Sequence, residues 1–474
     1  MAATGGVLQT LSLAPFELWW CLPLGLALWL VALKRDPVAG SFAYGLGLFG
    51  SGAHWIWVSM VTISATPLPI AVLLEVGFIS VLAATFAVAG WLYRRLSPIN
   101  PWLTFPALVV VTELLRTFAF TGFPWLFAGY GLMPSPWGHL GALVGVYGLS
   151  ALAAVMAVAL HHWRGWWALA PALAGMAWYS PTPPISTAEP VTVRLIQSSV
   201  PANEKWNPAW RDRIIERHLM PTLTADTDWV VWSENALPLL GAEADAYFDE
   251  MARQRPDLAL FAGRLIEAEP DRTRRYYNAI DGVGAASGQH LKQRLVPFGE
   301  YVPLEGALRG LIDFFDLPLS TIVPGQGAQR LSAGGVTIGA LICYEVAYPL
   351  LAWQGATDAQ VLVSVSNDAW FGDSIARDQH LQMAQMRALE LGLPMVRATN
   401  DGVTAVIDAQ GRISARLENY AIGHLDDSFV PATTRTLYSL WGPWPVWGIA
   451  VALILANLVT ASRRPTLPSK GRDR

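Results

Sequence analysis

The chain is 474 residues long, with 32 Lys and Arg against 36 Asp and Glu and a net charge of −4; without a basic excess it has no electrostatic footprint for nucleic acid. Only 14% of residues are charged and 22 are Trp, whereas soluble domains carry about 25% charged residues, so a wholly soluble chain is excluded. Two cysteines cannot make a disulfide scaffold, and eight scattered histidines give no metal-ligand spacing, so neither a metal nor any other cofactor is expected.

Charge is unevenly spread. Residues 1–188 hold only ten charged residues: Glu17, Lys34, Arg35, Asp36, Glu75, Arg94, Arg95, Glu113, Arg116 and Arg164. Since about 20 apolar residues cross a bilayer, the long uncharged intervals convert into spans. Gly6–Leu33, interrupted at Ala14–Glu17, reads as a short span followed by another, an uncleaved anchor without the basic start of a signal peptide. Residues 37–74 read as two helices joined near Ser64–Pro69, where prolines lack an amide donor. Residues 96–112, 136–160 and 165–180 are further spans, and an uncharged run at 436–462 makes the eighth.

Lys and Arg set the orientation. Lys34-Arg35, Arg94-Arg95, His161–Arg164 and the tail Arg463–Arg474 carry the positive charge and are expected on the cytoplasmic side; Ala14–Trp19, Ser64–Pro69 and Thr121–Trp137 hold no Lys or Arg and are expected outside. The expected organisation is therefore seven helices over 1–180, a proline-rich linker over 181–190, an external domain over 191–436, a helix over 437–462 and a basic inner tail over 463–474. His54, Glu75, Glu113 and Arg116 fall at or near membrane depth. Glu113 and Arg116, three apart, share a helix face, so pairing lowers the cost of burying them; they either lock neighbouring helices or meet a lipid headgroup.

The external part alternates. β-rich runs at Val191–Gln197, Trp229–Trp232, Leu258–Gly263, Val336–Cys343, Val361–Val365, Val396–Ala398 and Val403–Asp408 are separated by helical patterns at Trp210–Leu223, Ala242–Gln254 and Arg377–Leu391. This is a layered α/β domain. Three places put a reactive side chain where an apolar strand stops or a turn follows. Glu234 follows Trp229–Ser233; Lys292 stands eight residues before Glu300 across a Pro-Phe-Gly turn; Cys343 ends the Val336–Cys343 run and is followed by Tyr344 and Glu345. Singly, each has an ordinary reading: a solvated carboxylate, a surface ion pair, a small buried hydrophobe. Together they differ, because an external thiol without a partner for a disulfide suggests use. A thiolate nucleophile needs a base and a cation for the oxyanion, and Glu234 and Lys292 are those two types.

The set Trp232–Glu234, Lys292 with Leu295–Glu300, and Cys343–Glu345 resembles the Glu–Lys–Cys constellation of the nitrilase, or carbon–nitrogen hydrolase, superfamily. With seven helices before the domain and one after, the chain is similar to the apolipoprotein N-acyltransferase family of bacterial inner membranes. Thr121–Trp125, Lys205-Trp206, Tyr277-Asn278, Ser366–Gly372 and Met386–Glu390 match it too. Ser233 departs from the family's usual proline before the glutamate, and the segment before Ala14 is short.

The resemblance implies an αββα sandwich inserted in a polytopic helical membrane protein. It further implies acyl transfer from a phospholipid to the α-amino group of the diacylglyceryl-modified cysteine of an apolipoprotein. Glu234 would be base, Cys343 nucleophile and thioester carrier, and Lys292 with the Tyr344 amide the oxyanion donors; Glu300 and Glu345 would support. Substrate-binding candidates are Trp206, Asn278, Trp370 and the apolar Leu304–Val323 segment with Phe314 and Phe315, a lid against membrane lipids. Two other readings stand beside it. A membrane-tethered amidase or nitrilase would use the same three residues, but a water-soluble substrate needs neither eight helices nor an apolar lid. A transporter or scaffold would leave Cys343 without a role, and the paired broken helices of transport sites are missing from the sequence.

Overall fold

The computed structural model describes residues 1–63, 66–96, 100–119, 121–162, 170, 173–176, 186–268, 275–297, 299–301, 322–326 and 330–462. Arg164, most of the expected 165–180 span, the start of the linker, residues 304–321 with Phe314 and Phe315, and the tail 463–474 lie outside them.

The first part is helical. Helices run over Ala2–Ser12, Cys21–Arg35, Pro37–Gly52, Leu68–Arg95, Pro101–Phe118 and Gly141–His161. Their starts follow local chemistry: Asp36 and Asn100 cap the helices that begin at Pro37 and Pro101, accepting from the amides of Ala39 (3.2 Å) and Trp102 (3.0 Å). Among the described residues, three helices are long and apolar enough to cross a membrane by length and composition: Leu68–Arg95, Gly138–His161 and Trp444–Ser462. The expected count of eight is thus not reached on these criteria. The first three helices, of 11, 15 and 16 residues, fall short of a full span. Boundaries also move. The helix that starts after the Ser64–Pro69 break continues through a buried Glu75 to Arg95, and the helix expected over 96–112 lies at Pro101–Phe118 and carries Glu113 and Arg116 within it.

Glu113 and Arg116 are both buried but 4.0 Å apart, so their mutual pairing is weak. Each is satisfied mainly by the loop that follows. Glu113 accepts from the Ala128 amide (2.8 Å) and the Ser150 hydroxyl (2.9 Å), while Arg116 donates to the Trp125 carbonyl (2.9 Å) and lies over the rings of Phe49, Phe86 and Phe127. The pair therefore fixes residues 121–128 against the bundle.

Among the described residues the second part is built on twelve strands: β1 Val191–Gln197, β2 Trp229–Val231, β3 Ala259–Glu267, β4 Tyr276–Gly284, β5 Ala286–Leu291, β6 Leu331–Ala333, β7 Val336–Ile342, β8 Val361–Ser366, β9 Met395–Thr399, β10 Ala405–Ile407, β11 Ile413–Arg416 and β12 Gly423–Phe429. Their order is β11-β10-β9-β8-β7-β6-β5-β4-β3-β2-β1-β12. Two parallel triplets, β1-β2-β3 and β7-β8-β9, sit at the centres of the halves. Alternate apolar residues of both halves, among them Val193, Leu195, Val231, Phe261, Ile342, Val363 and Val396, form one core between them. The outer face of the first half packs Val230, Trp232 and Leu260 against Ile215, Ala244 and Phe248 of helices Arg211–Leu223 and Gly241–Gln254. This gives the helix, sheet, sheet, helix layering expected.

The helix on the other face, Ala376–Leu391, has a neighbour on every side, and only Asp378 and Gln385 escape burial. Its apolar residues join one cluster with the helical part. Its Glu390 accepts from the Val146 amide (2.7 Å), which has lost its own helical acceptor because Gly145 breaks the Gly141–His161 helix at φ +64°. A side chain at Gly145 would lie 2.3 Å from the Tyr438 ring, so glycine is needed there on two counts.

Candidate active site

In parallel sheets reactive groups gather beyond the carboxyl ends of strands, and here both triplets end at one place. Asn400, just past β9, accepts from the Ser198 hydroxyl (2.9 Å) and the Val200 amide (3.0 Å) beyond β1, and donates to Asn367 Oδ1 (3.1 Å) beyond β8. The Asn367 amide in turn donates to Glu234 Oε2 (2.9 Å) beyond β2. The two halves are thus stitched through the site itself.

Glu234 is buried, and its other oxygen accepts from Lys292 Nζ (2.9 Å) and Asn278 Nδ2 (2.7 Å). The loop carrying it presses on β3, where a Cβ at Gly263 would stand 2.3 Å from the Ser233 carbonyl oxygen and 2.8 Å from the Glu234 Cα. Glycine is what lets the loop lie that close. Ser233, the departure noted above, is buried with its hydroxyl unpartnered.

Lys292 is also buried. It donates to Glu300 Oε1 (2.9 Å) as well as Glu234, which leaves one of its three N–H donors for a further acceptor. Burial opposes its charge, but Glu234, Glu300 and Cys343 outweigh that and hold the ammonium protonated well above the usual lysine range. Glu300 spends its second oxygen on the Val296 amide (2.8 Å) and shares Asn278 (3.1 Å) with Glu234. Asn278, on β4, therefore ties the two glutamates together, with only Oδ1 unpartnered.

Cys343 begins the turn after β7 with φ +49°, a left-handed conformation that costs a non-glycine residue of order 1–3 kcal/mol. The turn is pinned by Glu345, whose Oε2 accepts from the Ile342 amide (2.8 Å) and contacts His290 Nε2 (2.9 Å), and whose Oε1 accepts from the Gln293 amide (2.7 Å). Burial would raise this carboxyl, yet His290 and those amides together hold it below its usual range. Glu345 thus fixes the cysteine turn to the lysine loop and touches neither reactive atom. Burial pushes the Cys343 thiol up, Glu234 and Asp368 push it further, and Lys292 and the Ser366 hydroxyl oppose them.

The side chain of Tyr344 leaves the site for the helical part, donating to the Gly122 carbonyl (3.0 Å) and stacking on Trp125. Tyr348 donates to the Thr121 carbonyl (3.1 Å). Trp125 also donates to Gln379 (2.7 Å), and the Trp370 carbonyl accepts from Ser59 (2.5 Å). The Cys343 turn is therefore seated on the helical part. Of the remaining candidates, Trp370 is half-buried at this junction, while Trp206 is exposed.

Residues not singled out by sequence reasoning complete the surroundings. Lys205 is buried and donates to the Ala236 carbonyl (3.0 Å), two residues past Glu234; burial brings its ammonium down to about 8 against the pull of Glu234 and Asp401. Ser366, Asp368, His380 and Arg397 are fully buried behind Cys343. Ser366 and Asp368 stand where the apolar run Val361–Val365 stops, the same signal that pointed to Glu234 and Cys343.

This buried carboxylate–ammonium–carboxylate cluster beside a cysteine on a strained strand end lies within an αββα sandwich, and residues 219–430 match the carbon–nitrogen hydrolase family. Residues 5–160 match the apolipoprotein N-acyltransferase N-terminal domain. Over nearly the whole chain two curated relatives agree. The apolipoprotein N-acyltransferase of Pseudomonas paraeruginosa is 40% identical over 98% of this chain and 96% of its own length, and that of Azotobacter vinelandii is 41% identical over 96% of this chain and 93% of its own. The chain belongs to the apolipoprotein N-acyltransferase family.

Proposed function

We propose that this protein moves a fatty acyl chain from a phospholipid to the α-amino group of the diacylglyceryl-modified N-terminal cysteine of an apolipoprotein, the last step of lipoprotein maturation, through a thioester on Cys343. The observation that carries the reading is the cluster of Glu234, Lys292 and Glu300 beside Cys343. In the first half-reaction Glu234 takes the thiol proton and the sulfur attacks the ester carbonyl. The oxyanion meets the third N–H of Lys292 and the Tyr344 amide, and the lysophospholipid alkoxide leaves with the proton held by Glu234. In the second, the amine attacks the thioester, Glu234 accepts its proton, and the thiolate departs and takes that proton back from Glu234, restoring the thiol and the carboxylate. Glu300 and Asn278 orient Lys292 and Glu234; Glu345 positions the turn.

The membrane location follows the substrates, because drawing each CH₂ out of lipid costs about 0.8 kcal/mol. We propose eight crossings, a periplasmic catalytic domain and a cytoplasmic basic face in a bacterial inner membrane. Support comes from Lys34 and Arg35, and Arg94 and Arg95, in the last turns of two helices, and from Lys34 meeting His161 at the end of a third (2.6 Å). The 28-residue helix over Leu68–Arg95, about 42 Å long at 1.5 Å per residue, carries its basic end away from the Ser59–Trp370 junction near its start. Trp206, Trp370 and the 304–323 segment with Phe314 and Phe315 are proposed as the acyl-chain approach.

Intact-mass measurement of the purified protein after incubation with phospholipid tests this. A fatty-acyl adduct is expected on Cys343, released by hydroxylamine and missing from Cys343→Ala. No adduct, together with turnover of a small amide, would make the protein a tethered amidase instead.

A further inference from the structure

Cys343 has a second polar neighbourhood, on the side away from Lys292, that the two half-reactions leave unused. Strands β7 and β8 run parallel in a register that pairs Ile342 with Val365. Cys343 and Ser366, each one residue further on, are therefore side by side at adjacent strand ends, and the serine hydroxyl works against the rise of the thiol. The Ser366 hydroxyl also donates to Asp368 Oδ1 (2.6 Å). Arg397 Nη2 donates to Asp368 Oδ2 (3.1 Å) and lies 2.9 Å from His380 Nδ1, which is 3.1 Å from Asp368 Oδ1. The other ring nitrogen of His380 meets the carbonyl oxygen of Cys343 itself (3.1 Å).

We propose that Ser366 is a further catalytic residue, whose single hydroxyl proton turns between Asp368 and the Cys343 sulfur. The proposal rests on Cys343 being the acyl carrier. While the sulfur is a thiol or a thioester, the hydroxyl donates to Asp368. When Glu234 removes the thiol proton, and again when the thiolate leaves at the end of the second half-reaction, the hydroxyl swings to the charged sulfur. Ser366 keeps its proton throughout, so no bond at the serine is made or broken. Asp368 can release the hydroxyl because Arg397 remains on it; His380, between Arg397 and the turn carbonyl, keeps that guanidinium in place, so both are positioning residues. The charged groups that bear on the sulfur are Glu234 beyond β2, Lys292 beyond β5 and Asp368 beyond β8; Arg397 of β9, with His380 on the Ala376–Leu391 helix, faces Asp368.

The test is the pH dependence of Cys343 alkylation by iodoacetamide in the full chain carrying Cys21→Ala, followed by intact mass. A hydrogen bond to a charged group stabilises by about 1.5–3 kcal/mol, so Ser366→Ala is expected to slow alkylation at neutral pH by roughly tenfold or more and move the profile to higher pH. Ser366→Thr, which returns a hydroxyl, is expected to recover most of that loss. An unchanged profile in Ser366→Ala would overturn the role of Ser366. If the alanine variant does not fold, Ser366→Gly removes the same hydroxyl and carries the same two outcomes. Failure of the underlying reading is separate: Ser366-intact protein would then take no acyl adduct from phospholipid on Cys343, whatever its alkylation profile.

Discussion

At the residue scale the site is a balance of buried charges. Lys292 stands between two glutamates, so Lys292→Ala removes the proposed oxyanion donor and also leaves two carboxylates facing each other. Acyl-enzyme formation, followed by mass, is expected to fall by at least about 100-fold, and the melting temperature to fall with it. Gly263→Ala adds one methyl against the Ser233 carbonyl; the loop must retreat, and the acylation rate should drop while the melting temperature changes less than in Lys292→Ala. Asp368 behaves differently. Burial works against its charge, but Arg397 and His380 hold its carboxyl well below the usual range. A depressed folded value stabilises the protein above the unfolded value of about 3.9 and is lost as pH falls towards the folded one. Melting temperatures measured from pH 6 down to pH 3 should thus fall more steeply in the native protein than in Asp368→Asn, with the difference confined to the acid end.

At the element scale, the helix Ala376–Leu391 joins the two parts. Glu390 caps the broken helix at Val146 and neighbours Arg387 at 2.9 Å, both fully buried. Glu390→Ala leaves an uncompensated guanidinium and an orphaned amide, a loss of about 3–5 kcal/mol that thermal unfolding in detergent would register, whereas Glu390→Gln keeps an acceptor for Val146 and loses less. Elements differed in how plainly the sequence announced them. Val336–Cys343 and Val361–Val365 are nearly continuous apolar runs because both faces of the central strands are covered, and they fall on β7 and β8; Val191–Gln197, interrupted by Thr192 and Arg194, falls on β1. β4 and β12 escaped because Asn278 and Asp281 in one, and His424, Asp426 and Asp427 in the other, interrupt the apolar pattern. Asn278 is in its strand to serve the site, and β12 alternates half-buried and exposed residues at a sheet edge until the buried Phe429. Glu234, Lys292 and Cys343 were legible as residue types beside strand ends. His380 was not, since its meaning depends on which helix face turns inward; Ser366 stood at a strand end like them, but its place beside Cys343 depends on strand register. The Glu113–Arg116 spacing suggested a partner pair, yet Glu113 bonds the Ala128 amide and the Ser150 hydroxyl and Arg116 the Trp125 carbonyl, groups that sequence spacing does not locate.

For the whole molecule, low charge density belongs to the helical part, and the sheet domain is bolted to it through Tyr344, Tyr348, Trp125 and Gln379. Orientation can be checked in spheroplasts with single cysteines in a Cys21→Ala background. Glu418→Cys, on an exposed loop of the sheet domain, is expected to react with a membrane-impermeant maleimide from outside, and Lys34→Cys only after lysis; the reverse pattern would invert the topology. The central claim, that Cys343 carries an acyl group destined for an amine, is tested most directly by isolating the acylated protein and adding a diacylglyceryl-cysteinyl peptide. The account predicts that the adduct disappears as N-acylated peptide appears in equal amount. An adduct that ignores the peptide and is lost only to water as free fatty acid would contradict it.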